Sequence, residues 1–408
     1  MRTRLYPVFS GALFLIALLF SCTSPARHLD HHDHYGHEHH GNFGRLVVHT
    51  DDGTVMVLDA ADGDVLARFT GKLDAGAAMV HANSTGEFAY VTHRSNWTTL
   101  VVDSGFTLED HGDHYDLHEH TPEIQAELRT GAKPSHFYSA GGRTIVYNDD
   151  SGTISVIDES TLRSSPVVTS FKARVDHGAP VLFGDSVIVG YLNSPDIDVF
   201  SMEGTVRQRF TGGSRLHGEA RFGRFTAFGL EEGIALVTWN GREFSAGVAP
   251  NPSGLTGGAR VNHLRSHVLV PHFIGRTNTG NFLVSFDPVS KEWKTLQLSA
   301  PFAQFGFDMT GEHLVVLDSE GTLHDIDPDT LRLRGSLRSA TGTVAPLADG
   351  MPAATLSYGK GHVWVSDPAS SVIRLVSLDH LEIEAEFPVE GPGRITAIVH
   401  LQTAGVKH

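Results

Sequence analysis

Two stretches of this chain crowd metal-ligating side chains at a density that ordinary folded surfaces do not reach. Arg27 to His40 holds seven histidines (His28, His31, His32, His34, His37, His39 and His40) with Asp30, Asp33 and Glu38 among fourteen residues. Glu109 to His120, written EDHGDHYDLHEH, is a shorter version of the same mixture. The chain has a single cysteine, Cys22, which excludes an intrachain disulfide and a thiolate metal site, so any metal must use His, Asp or Glu.

The two stretches predict different chemistry. In the second, His111 and His114 are three apart and His114 and His118 four apart, a spacing that gathers side chains on a helical turn or a tight loop. Asp110, Asp113 and Asp116 can ligate directly or orient an imidazole through its other nitrogen. That donor set suits tetrahedral Zn2+, with Ni2+ and Cu2+ as competitors. The competing reading, a merely solvated loop, leaves the choice of residues unexplained, since Lys, Ser and Glu would serve solubility equally. The first stretch has the composition of a flexible linker, and flexible imidazoles lose affinity to the ordering that binding demands. It is expected to hold several ions weakly and to release them in mild acid, as histidine protonates near 6.5.

The elements around these stretches set where they act. Arg2 and Arg4, the apolar run Gly11 to Phe20 and the sequence Leu19-Phe20-Ser21-Cys22 read as a secretory signal, too short for a comfortable membrane span. Leu three residues before the cysteine and Ser directly before it resemble a bacterial lipobox. Residues 1–21 are then the lipoprotein signal peptide, Cys22 a lipidated N-terminus, 22–43 a flexible His-rich tail, and the location extracytoplasmic; plain cleavage nearby is the alternative. The formal charge of −16 argues against a nucleic-acid binder, which needs the opposite sign, and draws cations toward the surface.

From Gly44 to His408 one unit recurs: four short apolar, β-branched runs separated by Gly and Asp turns. After Pro134 the runs are Ser135 to Ala140, Arg143 to Asn148, Thr153 to Asp158 and Pro166 to Lys172. First strands fall near Met79, His136, Ala179, Glu219, His263, Phe305 and Ala354, about forty-six residues apart on average. This is an all-β chain with the spacing of a β-propeller. The last run, Arg394 to Leu401, is a first strand with nothing after it, and the unit at Gly44 lacks one. Joining them closes the ring and hides its edges. The expectation is eight four-stranded blades over 44–408, or seven if the unit from Leu216 is not one.

Position in the repeat predicts position in space. In a four-stranded blade the innermost strand starts at the face that carries the blade-to-blade loops and the loops between second and third strands. His136, His177 and His217 each stand at or just before a first strand, so three consecutive blades aim a histidine at one channel mouth. His81 and His263 sit deeper in equivalent strands, while His49, His93 and His272 end second strands and belong to the rim. The insertion at about 107–127 is expected between the last strand of one blade and the first of the next, folded over the same mouth.

The secreted His-rich N-terminus, the repeat, the Glu109 to Leu117 stretch and Leu216-His217-Gly218-Glu219-Ala220 together resemble the AztD-type zinc metallochaperones, over essentially the whole mature chain. The resemblance implies an extracytoplasmic propeller that hands Zn2+ to the solute-binding protein of a zinc ABC transporter, with a high-affinity site on the propeller and a weaker collecting tail. It carries the high-affinity site onto His111, His114 and Asp113 or Asp116, completed by one or two of His136, His177 and His217. A monomer is expected, touching a membrane only through its lipid anchor.

Two rival classes remain on the residues alone. A metal-dependent hydrolase or lyase would need a general base beside an open metal position, a part Glu219 or Glu109 could play. The chain has no G-x-S-x-G, no H-E-x-x-H and no phosphate-cradling glycine loop to support it. A metal-buffering interaction propeller without a dedicated recipient is the other.

Overall fold

A computed structural model describes residues 44–75, 78–111, 115–255, 258–346 and 352–398. The signal segment, Cys22, the histidine tail, Asp113 and His114 lie outside the described residues. Among the described residues the one helical element is a 3-10 turn, Glu159–Thr161, and no helix is long and apolar enough to cross a membrane.

The apolar runs fold as antiparallel strands in eight four-stranded sheets. Blade 1 is Ala78–Ala82, Phe88–His93, Thr98–Asp103 and Glu123–Leu128. Blade 2 is Pro134–Ala140, Arg143–Asn148, Thr153–Asp158 and Val167–Lys172, within a residue or two of the boundaries read from sequence. Blades 3 to 7 begin with Gly178–Phe183, His217–Phe222, Val261–His267, Phe302–Phe307 and Leu356–Tyr358. The unit from Leu216 is a complete blade, the fourth, which removes the seven-blade alternative. In blade 8 the innermost strand, Pro392–Ile398, pairs antiparallel with Arg45–Thr50, so the two ends of the described chain close the ring as expected.

Residue choice follows each strand's neighbours. Second and third strands are covered on both faces by adjacent blades, so Phe88–His93 and Thr98–Asp103 are buried along their whole length. Outer strands have one face in water, and Val206–Thr211 alternates exposed and half-buried. Strand alternation then sends successive residues of Arg45–Thr50 to opposite neighbours. Leu46 and Val48 pack with Trp364, Ile373 and Phe387 of blade 7, whereas Val47 packs with Ala89, Val91 and Leu100 of blade 1. The indole of Trp364 also donates to the Ala60 carbonyl (2.9 Å), fastening the closing blade to its neighbour.

The insertion corrects one expectation. It forms a two-stranded hairpin, Phe106–Asp110 with Tyr115–Glu119, between the third strand of blade 1 and its outermost strand Glu123–Leu128. Loops between third and fourth strands leave a blade on the face opposite the blade-to-blade loops. Its contacts agree: Glu119 pairs at 2.5 Å with Arg45, which begins a second strand, and Arg163, in the corresponding loop of blade 2, bonds the Phe106 carbonyl (2.6 Å). The hairpin therefore belongs to the face away from His136, His177 and His217, and does not cover their mouth.

Candidate metal centre

The mouth-facing ends of blades 2, 3 and 4 bring three histidines together. His136, His177 and His217 each offer a ring nitrogen, all within 4.8 Å of one another. His136 Nε2 and His177 Nε2 are 3.0 Å apart, and the rings of His136 and His217 and of His177 and His217 lie 5.6 and 5.2 Å apart by centroid. Local backbone irregularity aims them. The pairing register slips between Pro134 and His136 in blade 2 and between His217 and Glu219 in blade 4, as a β-bulge does when it re-aims a side chain. Gly218 takes φ +75°, and a Cβ there would sit 2.5 Å from the Asn262 carbonyl oxygen, so only glycine allows blade 4 this close to blade 5.

Each imidazole is held by its other nitrogen. His136 Nδ1 lies 3.0 Å from a Glu219 carboxylate oxygen, His177 Nδ1 2.9 Å from Asp149, and His217 Nδ1 2.9 Å from the Asn262 carbonyl. A carbonyl and two ionised carboxylates can only accept, so Nδ1 is the protonated nitrogen in all three rings. Each neutral ring then turns the Nε2 lone pair inward. Two such lone pairs facing at 3.0 Å repel, and the arrangement is satisfied when a proton or a metal cation sits between them.

The surroundings keep these nitrogens basic without letting all of them charge. Burial, with His136 and His177 close by, lowers His217 to about 4 against the Asn262 hydrogen bond. Burial also disfavours charge on His136, but the charge and hydrogen bond of Glu219 outweigh it and raise its pKa. Glu219 is the reciprocal case: burial would raise it, and His136 carries it below the usual carboxylate range. Asp149 is held low, against its burial, by hydrogen bonds from His177 and Ser135 and by the charges of His177 and Arg94. Deeper in the channel, burial and Arg276 depress His263 well below 6.5; its ring is 5.3 Å from that of His217.

Three imidazoles with carboxylate and carbonyl groups behind them form the ligand shell that zinc takes when one coordination position stays open. In a tetrahedral site with bonds of about 2.05 Å, ligand nitrogens stand about 3.3 Å apart, close to the His136–His177 separation. The donors are nitrogen, which favours Zn2+ over Mg2+ or Ca2+.

The other expected ligands stand elsewhere. His118 Nε2 is 3.0 Å from Glu109 Oε2, and His111 Nε2 is 3.4 Å from Asp116 Oδ2 and 3.8 Å from Glu109 Oε1. His111, Asp116 and His118 are thus gathered on the exposed hairpin, across from Glu109, and are not brought to the triad. The register explains it: Glu109 pairs with Asp116 and Thr107 with His118 across two strands, where a helical turn or loop was expected. His49 and His93 are buried near the ends of second strands. His272 instead stands near the start of its strand, Val270–Thr277, at the opposite end, with Nε2 2.9 Å from the Pro328 carbonyl. Sequence reading passed over Asp149 altogether and gave Glu219 a different part; the one available signal was Glu219's place in Leu216-His217-Gly218-Glu219.

Fold and site define an eight-bladed propeller with a cluster of three histidines, able to hold a cation, at the mouth of its channel. No family model matches the chain. It is similar to the zinc chaperone AztD of Citrobacter koseri, 25% identical over 363 residues that cover 85% of this chain and 84% of the relative. The structure of apo AztD from Citrobacter koseri superposes with a TM-score of 0.76 at 24% identity, covering 86% of this chain and 97% of that one. The dihydro-heme d1 dehydrogenase NirN has the same general fold (TM-score 0.63, 15% identity, 88% and 75% covered). The resemblance to AztD-type zinc chaperones read from the sequence therefore holds across most of the chain.

Proposed function

We propose that this protein is an extracytoplasmic zinc-binding metallochaperone that captures Zn2+ at His136, His177 and His217 and passes it to the solute-binding protein of a zinc ABC transporter. The observation that carries the reading is the pair of inward lone pairs on His136 and His177, 3.0 Å apart, with Nδ1 of every triad ring committed to an acceptor. The curated relative bears the name of a chaperone, not of an enzyme. Glu219, the residue that could have served as a general base, is engaged by His136. We read the chain as a non-enzymatic carrier. Zinc is its cargo: three protein ligands leave a position that a recipient's side chain can enter before the histidines let go.

The cysteine at 22 as a lipid anchor, the tail histidines as a weak collector and the hairpin of Glu109, His111, Asp116 and His118 as a second, exposed cation site complete the proposal. The test is transfer. Protein loaded with one equivalent of Zn2+ is mixed with the apo solute-binding protein in the presence of a chelator, and arrival of zinc is followed in time. Metal should reach the recipient faster than it does from free solution; equal rates would leave a metal buffer.

Glu219→Gln keeps shape and removes charge, so His136 loses its charged anchor. Zinc affinity by competition titration should fall roughly 10- to 100-fold, the usual cost of losing a group that orients a ligand. An unchanged affinity would mean that Glu219 does not hold His136 in the metal-bound state. The double variant His111→Ala/His118→Ala should leave the tightest site untouched and remove only weaker binding, since the hairpin stands on the other face.

A further inference from the structure

Beside the triad, on the same face, blades 4 and 5 enclose a cavity of about 580 Å3 lined by Arg215, Glu231, Asn251, Arg260 and Asn278. Every one of these residues is on a blade-to-blade loop or a loop between second and third strands. Arg215 is two residues before His217, and Arg260 is two residues before Asn262, whose carbonyl holds that histidine. The cavity therefore borders the metal centre through the backbone.

Its chemistry is unbalanced in one direction. Glu231 stands 3.4 Å from Arg215 and also lends its charge to Arg260, but among the described residues no carboxylate is within ion-pair distance of Arg260, of whose guanidinium only Nη1 is engaged, by the Arg215 carbonyl at 3.2 Å. The nearby Glu232 is turned toward the Ser214 backbone N–H (3.1 Å). Two guanidiniums thus share a half-enclosed space with one carboxylate, and burial together with Arg215 lowers the pKa of Arg260. In a chain of net charge −16, this is a locally cationic spot on the functional face.

Asn251 belongs to the same wall. The Asn251 amide nitrogen donates to the Glu231 carbonyl (2.8 Å), which fixes the orientation of the amide. Its oxygen, Oδ1, is packed inside the wall, with no hydrogen-bond partner among the described residues. The cavity thus offers guanidinium donors for a carboxylate. Charge complementarity points to an acidic group as occupant, and the cavity's place beside the triad mouth to one carried by a protein that docks there. The walls are preorganised: Arg260 N donates to Asn278 Oδ1 (2.8 Å) and Asn278 N to the Arg260 carbonyl (3.0 Å).

We propose that this cavity is a docking socket for an acidic side chain on the protein that receives the metal, seating that partner over the triad mouth. The inference rests on the transfer function proposed above for its biological meaning, and on the socket's own chemistry for its ligand.

The experiment has two arms. In the first, binding of a hexaglutamate peptide to the zinc-free protein in EDTA and low salt is measured by calorimetry for wild type and for Arg215→Gln/Arg260→Gln. The variant should bind at least about tenfold more weakly, and wild-type binding should weaken with salt. Equal binding by the two proteins, or citrate binding as tightly as the peptide, would overturn the socket. In the second, Arg260→Glu is loaded with zinc and its transfer to the recipient timed. Zinc affinity should match wild type, reporting an intact fold and triad, while transfer slows at least about tenfold. Wild-type transfer that Arg260→Glu reproduces would refute the socket, whereas wild-type transfer no faster than free zinc would refute the chaperone reading and leave the peptide arm to decide the socket.

Discussion

His177→Ala and His217→Ala should each abolish one-equivalent tight zinc binding while leaving the metal-free propeller folded. Apparent zinc binding free energies for four-ligand sites run to about 10–16 kcal/mol, so one ligand is worth on the order of 3 kcal/mol, or about a hundredfold in affinity. Removing two should leave only weak association with exposed carboxylates and imidazoles. The metal-free variants should not lose stability in proportion. His177→Ala removes one of two lone pairs that face each other at 3.0 Å, and Asp149 keeps Ser135 (2.6 Å) and Arg94 (2.5 Å) as partners. Melting curves with and without zinc make the check: wild type should be stabilised by saturating metal, and neither variant should be. A variant that still gains stability from one equivalent of zinc would move the tight site elsewhere, with the hairpin as the next place to look.

That prediction differs from the one the densest clusters suggest. Histidine density measures capacity, whereas affinity comes from rings whose second nitrogen is already committed. His136, His177 and His217 meet that condition through Glu219, Asp149 and the Asn262 carbonyl, three partners supplied by blades 4, 2 and 5. Because the partners are far apart in sequence, no local pattern announces them. What was legible was periodic: the four runs of blade 2, the closure of Pro392–Ile398 on Arg45–Thr50 and the recurrence of a histidine at three successive first strands all follow from alternation and turn residues.

The insertion was misplaced for an equally physical reason. The outermost strand of blade 1, Glu123–Leu128, has the sequence EIQAEL and is mostly exposed or half-buried, so it reads as polar insertion rather than as strand. Losing that one strand moves the insertion from the third-to-fourth connection to the next blade boundary, and so from one face to the other. The two faces now separate by chemistry. Arg45, the first strand residue of the described chain, stands with the Glu109, His111, Asp116 and His118 hairpin on one face; the triad and the Arg215–Arg260 cavity share the other.

Acid should unfold this protein through buried histidines before its carboxylates are protonated, and His49 is the clearest contributor. It is 1% exposed, its Nε2 has no hydrogen-bond partner among the described residues, and burial, with His93 nearby, lowers its pKa from 6.5 to about 4. In the unfolded chain the same ring takes a proton near 6.5. Between those values the unfolded state binds more protons, so stability is complete above about pH 6.5, falls as pH drops, and is fully forfeited below about 4. The drop corresponds to roughly 3 kcal/mol for this residue. His136 and His313 act with the opposite sign, since Glu219 and Asp325 raise their pKa values and favour the folded state in acid. The comparison must therefore be between wild type and His49→Gln, a neutral side chain that cannot charge. Urea unfolding at pH 7.5 and pH 4.5 should show His49→Gln losing about 3 kcal/mol less than wild type over that interval. Parallel losses would mean that His49 is hydrated and charges in the folded protein, and that the buried end of its strand is more open than the packing of Val47 and Val48 beside it implies.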